Sequence, residues 1–441
     1  MKKFLNLSLF IAVLFGFLPT NHSYAADRAH TLKVYNWADY IDEDLLEEFK
    51  VWYKEQTGEE VEIIYQLFDI NEVMLAKLEK GHEDFDVVCP SEYIIDRMLE
   101  NDMLLPISRD FGNTPDYTKN VSPYVIEQFA KLDKPGKAAN DYAVGYMWGT
   151  TGILYNPTFV TKEEVDSWGI LWDNRFQGKI LMKDAYRDIY GPMLMYAHYQ
   201  DILNGSVTRE QLMNDSSDEA IATVENLLKE AKKNIAGWEV DFGKEMMTKG
   251  KVCMNVSWSG DAVWAIEEAE AIGLTLSYHV PREGSNVWFD GWVIPKYAVN
   301  TKAAAYFINF MCRPDNALRN MDAIGYVSVI AAPEVLEAKI DSTLTDIIDL
   351  SYFFGPEADS VKVDGIQYPD RTVIERTALM RDCGSRTKNM LEMWSRVKGD
   401  SLDSWIVVVI AVVVIAIAGW AVSRKMKNSK MKNKKKGKKR K

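Results

Sequence analysis

TLKVYNWADYIDEDLLEEFKVWYKEQTGEEVEIIY, residues 31–65, changes its hydrophobic period twice within 35 residues. Leu32 to Tyr35 reads as a strand. Asp42 can cap a helix that carries Leu45, Leu46, Phe49, Trp52 and Tyr53 on one face, and Gly58 follows its end. Val61 to Tyr65 is again strand-like. The pattern continues with a helix over Asn71 to Glu79 and a short strand over Phe85 to Val88, stopped by Pro90. Strand, helix, strand, helix is the order of a mostly parallel sheet, so the fold class is α/β. In such sheets ligands sit outside the carboxyl ends of strands. Two polar and aromatic clusters fall there: Trp37 to Tyr40 after the first strand and Ser91 to Tyr93 after the third.

The later chain keeps the same order. Ile180 to Met182 leads into a helical stretch near Asp188, and Asp218 to Lys233 is an amphipathic helix. Val252 to Val256 is a strand, Asp261 to Ala269 the helix after it, and Trp292 to Ile294 a strand ended by Pro295. With 441 residues the chain exceeds what one hydrophobic core usually serves, so two lobes are expected.

The two ends read differently. Lys2 and Lys3 precede the apolar run Leu9 to Leu18, and small residues follow at Ser23, Ala25 and Ala26. That is the pattern of a secretory signal peptide over residues 1–26. Trp405 to Val422 is uncharged; eighteen residues at ~1.5 Å each reach roughly 27 Å, enough for a hydrocarbon core. Residues 424–441 then carry twelve Lys or Arg and no acid. The expectation is a C-terminal transmembrane helix at 405–422 with a basic cytoplasmic tail, leaving the preceding domain on the periplasmic or extracellular face.

Of the 52 basic residues two lie in the signal and twelve in the tail, whereas all 64 acids lie between, so the outer domain carries about −26. Such a field repels nucleic acid and favours cations. Cys89, Cys253, Cys312 and Cys383 have no C-x-x-C spacing, and their pairing stays open. The five histidines show no metal-ligand spacing, and neither a G-x-S-x-G nor a Walker-type loop occurs. These features favour a binding protein over an enzyme, with no cofactor and no metal.

Six motifs in order resemble one family. They are Tyr35-Asn36-Trp37-Ala38-Asp39-Tyr40; Asp84-Phe85-Asp86-Val87-Val88 with Pro90-Ser91-Glu92-Tyr93; Trp258-Ser259-Gly260-Asp261; Trp288-Phe289-Asp290; Phe307-Ile308-Asn309-Phe310 before Arg313-Pro314-Asp315; and Ile324-Gly325-Tyr326. Together they resemble the spermidine/putrescine-binding proteins of polyamine ABC importers, over roughly residues 31–395. The resemblance implies a periplasmic-binding-protein class II fold, two α/β lobes with a ligand cleft. Lobe 1 would comprise 31–148 and 290–332, lobe 2 152–286 and 337–400. It also implies the partners: putrescine or spermidine, an ABC permease and its ATPase, and the membrane through the C-terminal helix.

A polyamine needs a carboxylate for each ammonium and an apolar wall for each methylene run. Aromatic faces serve as walls and also attract cations. By resemblance, Asp39, Asp188, Asp261 and Asp290 bind amines; Trp37, Trp258, Trp288 and Tyr326 form walls; Tyr40, Ser91 and Tyr93 complete the ligand-binding set. Duller roles compete: Asp39 could shape the turn into a helix, Asp261 could cap one, and the tryptophans could be core.

Two departures bear on the ligand. Where family members resemble Asp-Asp-Ala-Arg-Glu, this chain has Lys183-Asp184-Ala185-Tyr186-Arg187-Asp188, where Asp188 matches the final acid but Ala185 replaces an inner one. Met380 stands where the spermidine-binding branch has a ligand Gln. Both point to putrescine or dual specificity. A membrane-tethered polyamine sensor, or a receptor for a different small cationic solute, remains the alternative.

Overall fold

The computed structural model describes residues 28–240 and 242–399. The expected signal peptide at 1–26, the span at 405–422 and the tail at 424–441 lie outside the described residues.

The opening stretch folds as its period dictates. Strand β1 (Thr31–Trp37) is followed by helix α1 (Asp44–Thr57), which buries Leu45, Phe49 and Tyr53. Gly58 ends it at φ 74°, a left-handed conformation that glycine adopts without a Cβ penalty, with its N–H on the Lys54 carbonyl. The start differs by one residue from expectation. Glu43 occupies the cap position and makes no capping bond, while Asp42 accepts from the Asp44 N–H at 3.1 Å and from Arg319 at 2.7 Å.

Next come β2 (Glu62–Phe68), α2 (Asn71–Gly81), β3 (Val87–Val88), α3 (Glu92–Glu100), β4 (Leu104–Leu105) and α4 (Pro123–Ala130). The long β5 (Ala143–Tyr155) leads to β6 (Ile180–Lys183), α5 (Tyr186–Ala197), α6 (Asp218–Ala231), β7 (Ile235–Glu239), β8 (Met254–Trp258) and α7 (Ser259–Ala271). Then follow β9 (Ser277–His279), a second long strand β10 (Ser285–Pro295), α8 (Thr301–Met311), α9 (Pro314–Ile324), β11 (Val327–Ser328), β12 (Thr377–Leu379) and α10 (Thr387–Lys398).

The strands run in the order β2-β1-β3-β10-β5-β8-β6-β7. β1 pairs in parallel with β2 and β3, and β6 pairs in parallel with β7 and β8. The two parallel groups are joined by β5 and β10, which are antiparallel to each other and to their other neighbours on this path. The sequence reading missed β5 altogether and saw only Trp292–Ile294 of β10. Both strands are buried at every position, so neither shows the alternation that marks a half-exposed strand.

Each group carries its own packing. Phe49 meets Phe307 and Phe310 at 5.2 and 5.5 Å between ring centroids, fixing α1 against α8. A second apolar cluster, including Leu154, Leu181, Val252, Ala262 and Ala265, sits under α7. The Asp84–Val88 motif serves the fold. Asp86 is fully buried, binds Arg28 at 2.8 Å and accepts the N–H groups of Lys33, Val299 and Asn300. All four cysteines are free thiols.

One element of the expected fold class is corrected. Among the described residues no helix is long and apolar enough to cross a membrane, so the C-terminal transmembrane helix is not part of the fold class described here. The longest helices, α1 and α6, have 14 residues and carry charges throughout. At ~1.5 Å per residue they reach roughly 21 Å, short of a bilayer core. The architecture is periplasmic-binding-protein-like α/β.

Candidate functional site

A cleft enclosing about 380 Å³ opens where the carboxyl ends of β1, β2, β6 and β8 converge on the joining strands. Trp37, Asp39, Tyr40, Ser91, Tyr93, Asp188, Trp258, Asp261, Trp288, Asp290 and Tyr326 all line it. The structure therefore brings all eleven sequence-predicted residues together, from segments up to 289 positions apart.

Asp290 stands at the centre. It lies on β10 two residues after Trp288, and the β5–β10 register shifts just beyond it, between Asp290 and Gly291. Such a bulge re-aims a strand's side chains. Tyr40 Oη donates to Asp290 Oδ2 at 2.8 Å and Ser91 Oγ to Oδ1 at 2.6 Å. Asn71 Nδ2 braces Ser91 at 2.9 Å and Tyr93 Oη at 3.1 Å. Asp290 is 5% exposed and forms no ion pair among the described residues. Burial pushes its carboxyl up to about 7 against the two hydroxyl bonds, and the Asp188 charge adds to the rise.

Asp188, in the first turn of α5, is held by Asn286 Nδ2 at 2.7 Å and Thr151 Oγ1 at 3.3 Å. Burial raises its pKa too, and hydrogen bonds from Asn286, Trp258 and Thr151 oppose the rise. Glu72, at the start of α2, accepts from Tyr93 Oη at 3.0 Å and is likewise raised by burial. The Arg187 charge opposes the rise at Glu72, whereas Asp188 and Asp290 form no ion pair among the described residues, which prepares the cleft for a cationic guest.

Asp261 is different. It does not cap α7: no side-chain bond closes that helix start. Its Oδ1 accepts from Tyr326 Oη at 2.8 Å and its Oδ2 from Lys183 Nζ at 2.6 Å. The ring of Tyr326 rests on Gly260, where an added Cβ would lie 2.3 Å from a ring carbon.

Aromatic rings form the walls. Tyr326 meets Tyr40 edge-on at 5.1 Å and Trp288 at 5.7 Å, and Trp37 leans on Phe68 at 4.6 Å. The indole N–H groups of Trp37 and Trp288 are buried without partners. Asp39 is exposed at the mouth, at φ 50°. Asp accepts that left-handed conformation better than most residues.

Sequence reasoning passed over Asn71, Glu72, Lys183 and Asn286. Asn71 and Glu72 follow the carboxyl end of β2, where the same strand-end rule would have placed them. Lys183 and Asn286 gave no local signal, because their partners lie 78 and 98 residues away. Among the described residues no group of three His, Cys, Asp or Glu side chains could hold a metal ion.

With this geometry in view, the chain belongs to the bacterial extracellular solute-binding protein family, whose pattern matches residues 46–342. It is similar to the spermidine/putrescine-binding periplasmic protein of Escherichia coli (strain K12), with 29% identity over 375 residues, 85% of this chain and 93% of that protein. It is also similar to the putrescine-binding periplasmic protein PotF of the same organism, with 28% identity over 323 residues, 70% of this chain and 81% of that protein. A solved structure of the spermidine/putrescine ABC transporter substrate-binding protein PotD from Streptococcus pneumoniae matches with a TM-score of 0.62 at 29% identity, covering 84% of this chain and 98% of its own. The resemblance drawn from the six motifs thus extends along most of the chain.

Proposed function

We propose that this chain captures a polyamine, putrescine or spermidine, outside the cytoplasmic membrane and presents it to an ABC permease driven by its ATPase. No bond is made or broken in this role. The observation that carries the reading is Asp290: a buried carboxylate held by two hydroxyls and lacking a cation, between Trp288 and Tyr326. An ammonium there would supply the missing charge and donate to both oxygens, while methylenes lie on the rings.

In this reading Asp188 takes a second ammonium, and Asp39 draws cations at the mouth. Trp37, Trp258, Trp288 and Tyr326 are the walls, and Tyr40, Ser91 and Tyr93 orient the carboxylates. Residues 31–148 and 290–332 act as one lobe and 152–286 with 337–400 as the other. Phe353 stacks on Trp148 at 5.1 Å and Tyr352 meets Tyr124 at 5.1 Å, so this part of the C-terminal segment packs on the first lobe. Closure about β5 and β10 would exclude water and strengthen each ion pair.

Calorimetry of the full chain against putrescine, spermidine, spermine, agmatine and basic amino acids tests this reading. Saturable heat with a polyamine, and none with lysine or arginine, is expected. Absence of heat with every polyamine would sink it.

A further inference from the structure

Three buried aspartates line the cleft: Asp188, Asp261 and Asp290. Two have no cation. The third, Asp261, is matched by a lysine that the fold itself supplies. Lys183 ends β6, is 1% exposed, and places Nζ 2.6 Å from Asp261 Oδ2 and 3.2 Å from Glu239 Oε1. Its third donor goes to the Val240 carbonyl. An ammonium has three donors, so none is left for a ligand. The same Nζ lies 4.1 Å from the ring centroid of Trp258, a wall of the cleft. A carboxylate beside an indole with an ammonium between them is what a bound amine would find at this end. Here the amine is covalently part of the chain.

Glu239 belongs to the same cluster and does not compete for a ligand. It accepts from the Gly243 N–H at 3.0 Å and Asn255 Nδ2 at 3.1 Å, and it is 1% exposed. The other oxygen of Asp261 is engaged by Tyr326 at 2.8 Å. Asp261 therefore already carries one donor on each oxygen, and one of them is an ammonium that it shares with Glu239.

We infer that Lys183 is a resident ammonium that withdraws Asp261 from ligand binding, leaving a cleft matched to two ammonium groups and selecting diamines over triamines. This deepens the polyamine reading and rests on it. A triamine would have to place its third charge on the Trp258 side, against a lysine already seated there. Like charges at that range in a buried site are costly.

The test is calorimetric titration of putrescine and spermidine into the full chain and two variants. The double variant Lys183→Gln/Asp261→Asn removes one charge of each sign, so the net charge of the cluster with Glu239 is unchanged and polar side chains remain at both positions. Its putrescine affinity is expected to stay within about threefold of the parent. The single variant Lys183→Gln frees Asp261, and the spermidine-to-putrescine affinity ratio is expected to rise at least tenfold. A thirtyfold loss of putrescine affinity in a folded double variant, or an unchanged ratio in the single one, would overturn the inference. If the variants fail to fold, 15N-detected NMR of the lysine ammonium groups in the parent decides. A slowly exchanging Lys183 signal should persist at saturating putrescine, and its disappearance would overturn the inference. A parent chain that binds no polyamine at all instead refutes the function proposed above.

Discussion

Tyr40 Oη donates to Asp290 Oδ2 at 2.8 Å across 250 residues of sequence, tying the loop after β1 to the bulge in β10. The same carboxylate receives Ser91 Oγ at 2.6 Å. Two neutral hydroxyls orient the charge without cancelling it. The residue is thus positioned for a cation at a cost to the empty fold.

That cost is measurable. Asp290→Asn should weaken putrescine binding by roughly 30-fold or more, since a buried ammonium loses its counter-charge. It should also stabilise the ligand-free protein at pH 8 by ~1–2 kcal/mol. Paired calorimetry and thermal denaturation separate the two effects. A variant that loses affinity and stability together would argue that Asp290 is merely structural.

The pH dependence of stability has a definite sign. The Asp290 carboxyl is raised from 3.8 to about 7 in the fold, so between those values the native state binds the extra proton. Its contribution to stability is therefore lost as pH rises through that window and stays low above 7. The stability gap between Asp290→Asn and the parent should open from about pH 4 to about pH 7 and then level off. Denaturant titrations at several pH values check this.

Binding should run the other way. An ammonium requires the ionised carboxylate, so putrescine affinity should rise with pH towards about 8 and flatten above it. Tyr40, Ser91, Asp188, Glu92, Cys89, Tyr146 and Tyr326 are among the groups that face or sense Asp290; burial also pushes up Asp188, Glu92, Cys89, Tyr40, Tyr146 and Tyr326. Calorimetry near pH 6.5 in buffers of different ionisation heat should register proton release, and the Asp290→Asn variant should release less.

Gly260 is a steric requirement of the site. A Cβ there would lie 2.3 Å from the Tyr326 ring, which must then leave Asp261. Gly260→Ala should lower stability by ~1–3 kcal/mol and weaken binding. Tyr326→Phe keeps the ring and loses only the hydroxyl bond, about 1 kcal/mol. Equal penalties for the two variants would contradict this account.

Asp86 supplies a contrast outside the cleft. Removing it takes one of the two carboxylates from Arg28, which keeps Asp84, and strands three backbone N–H groups, so Asp86→Ala should cost ~3 kcal/mol or more of stability. Ligand affinity of the folded fraction should be unchanged, as denaturant titration followed by calorimetry would reveal.

How much of this was legible beforehand depends on range. Period and punctuation are local, so β1, α1 with its Gly58 stop, α2 and α6 could be read directly. The motifs named the cleft residues through the family resemblance, and all eleven do line one cavity. What stayed hidden had no local mark. Strand β5 is buried along its whole length and lacks alternation. The role of Asp86 requires contacts more than 50 residues away on either side. The apolar run at 405–422 was expected to be a membrane-spanning helix, yet no described helix is long and apolar enough for that role.

By itself the sequence determined the α/β alternation, which follows from local hydrophobic period, and its motifs carried the resemblance that pointed to the cleft residues. Only the tertiary structure decided which carboxylates remain unbalanced. Asp188, Asp261 and Asp290 are the same residue type at similar burial, and nothing local distinguishes them. The difference is Lys183, brought 2.6 Å from Asp261 by the parallel pairing of β6 with β8, and brought near neither of the others within ion-pair distance. A carboxylate's role in a cleft is set by the charge that packs beside it, and that neighbour is chosen by the fold.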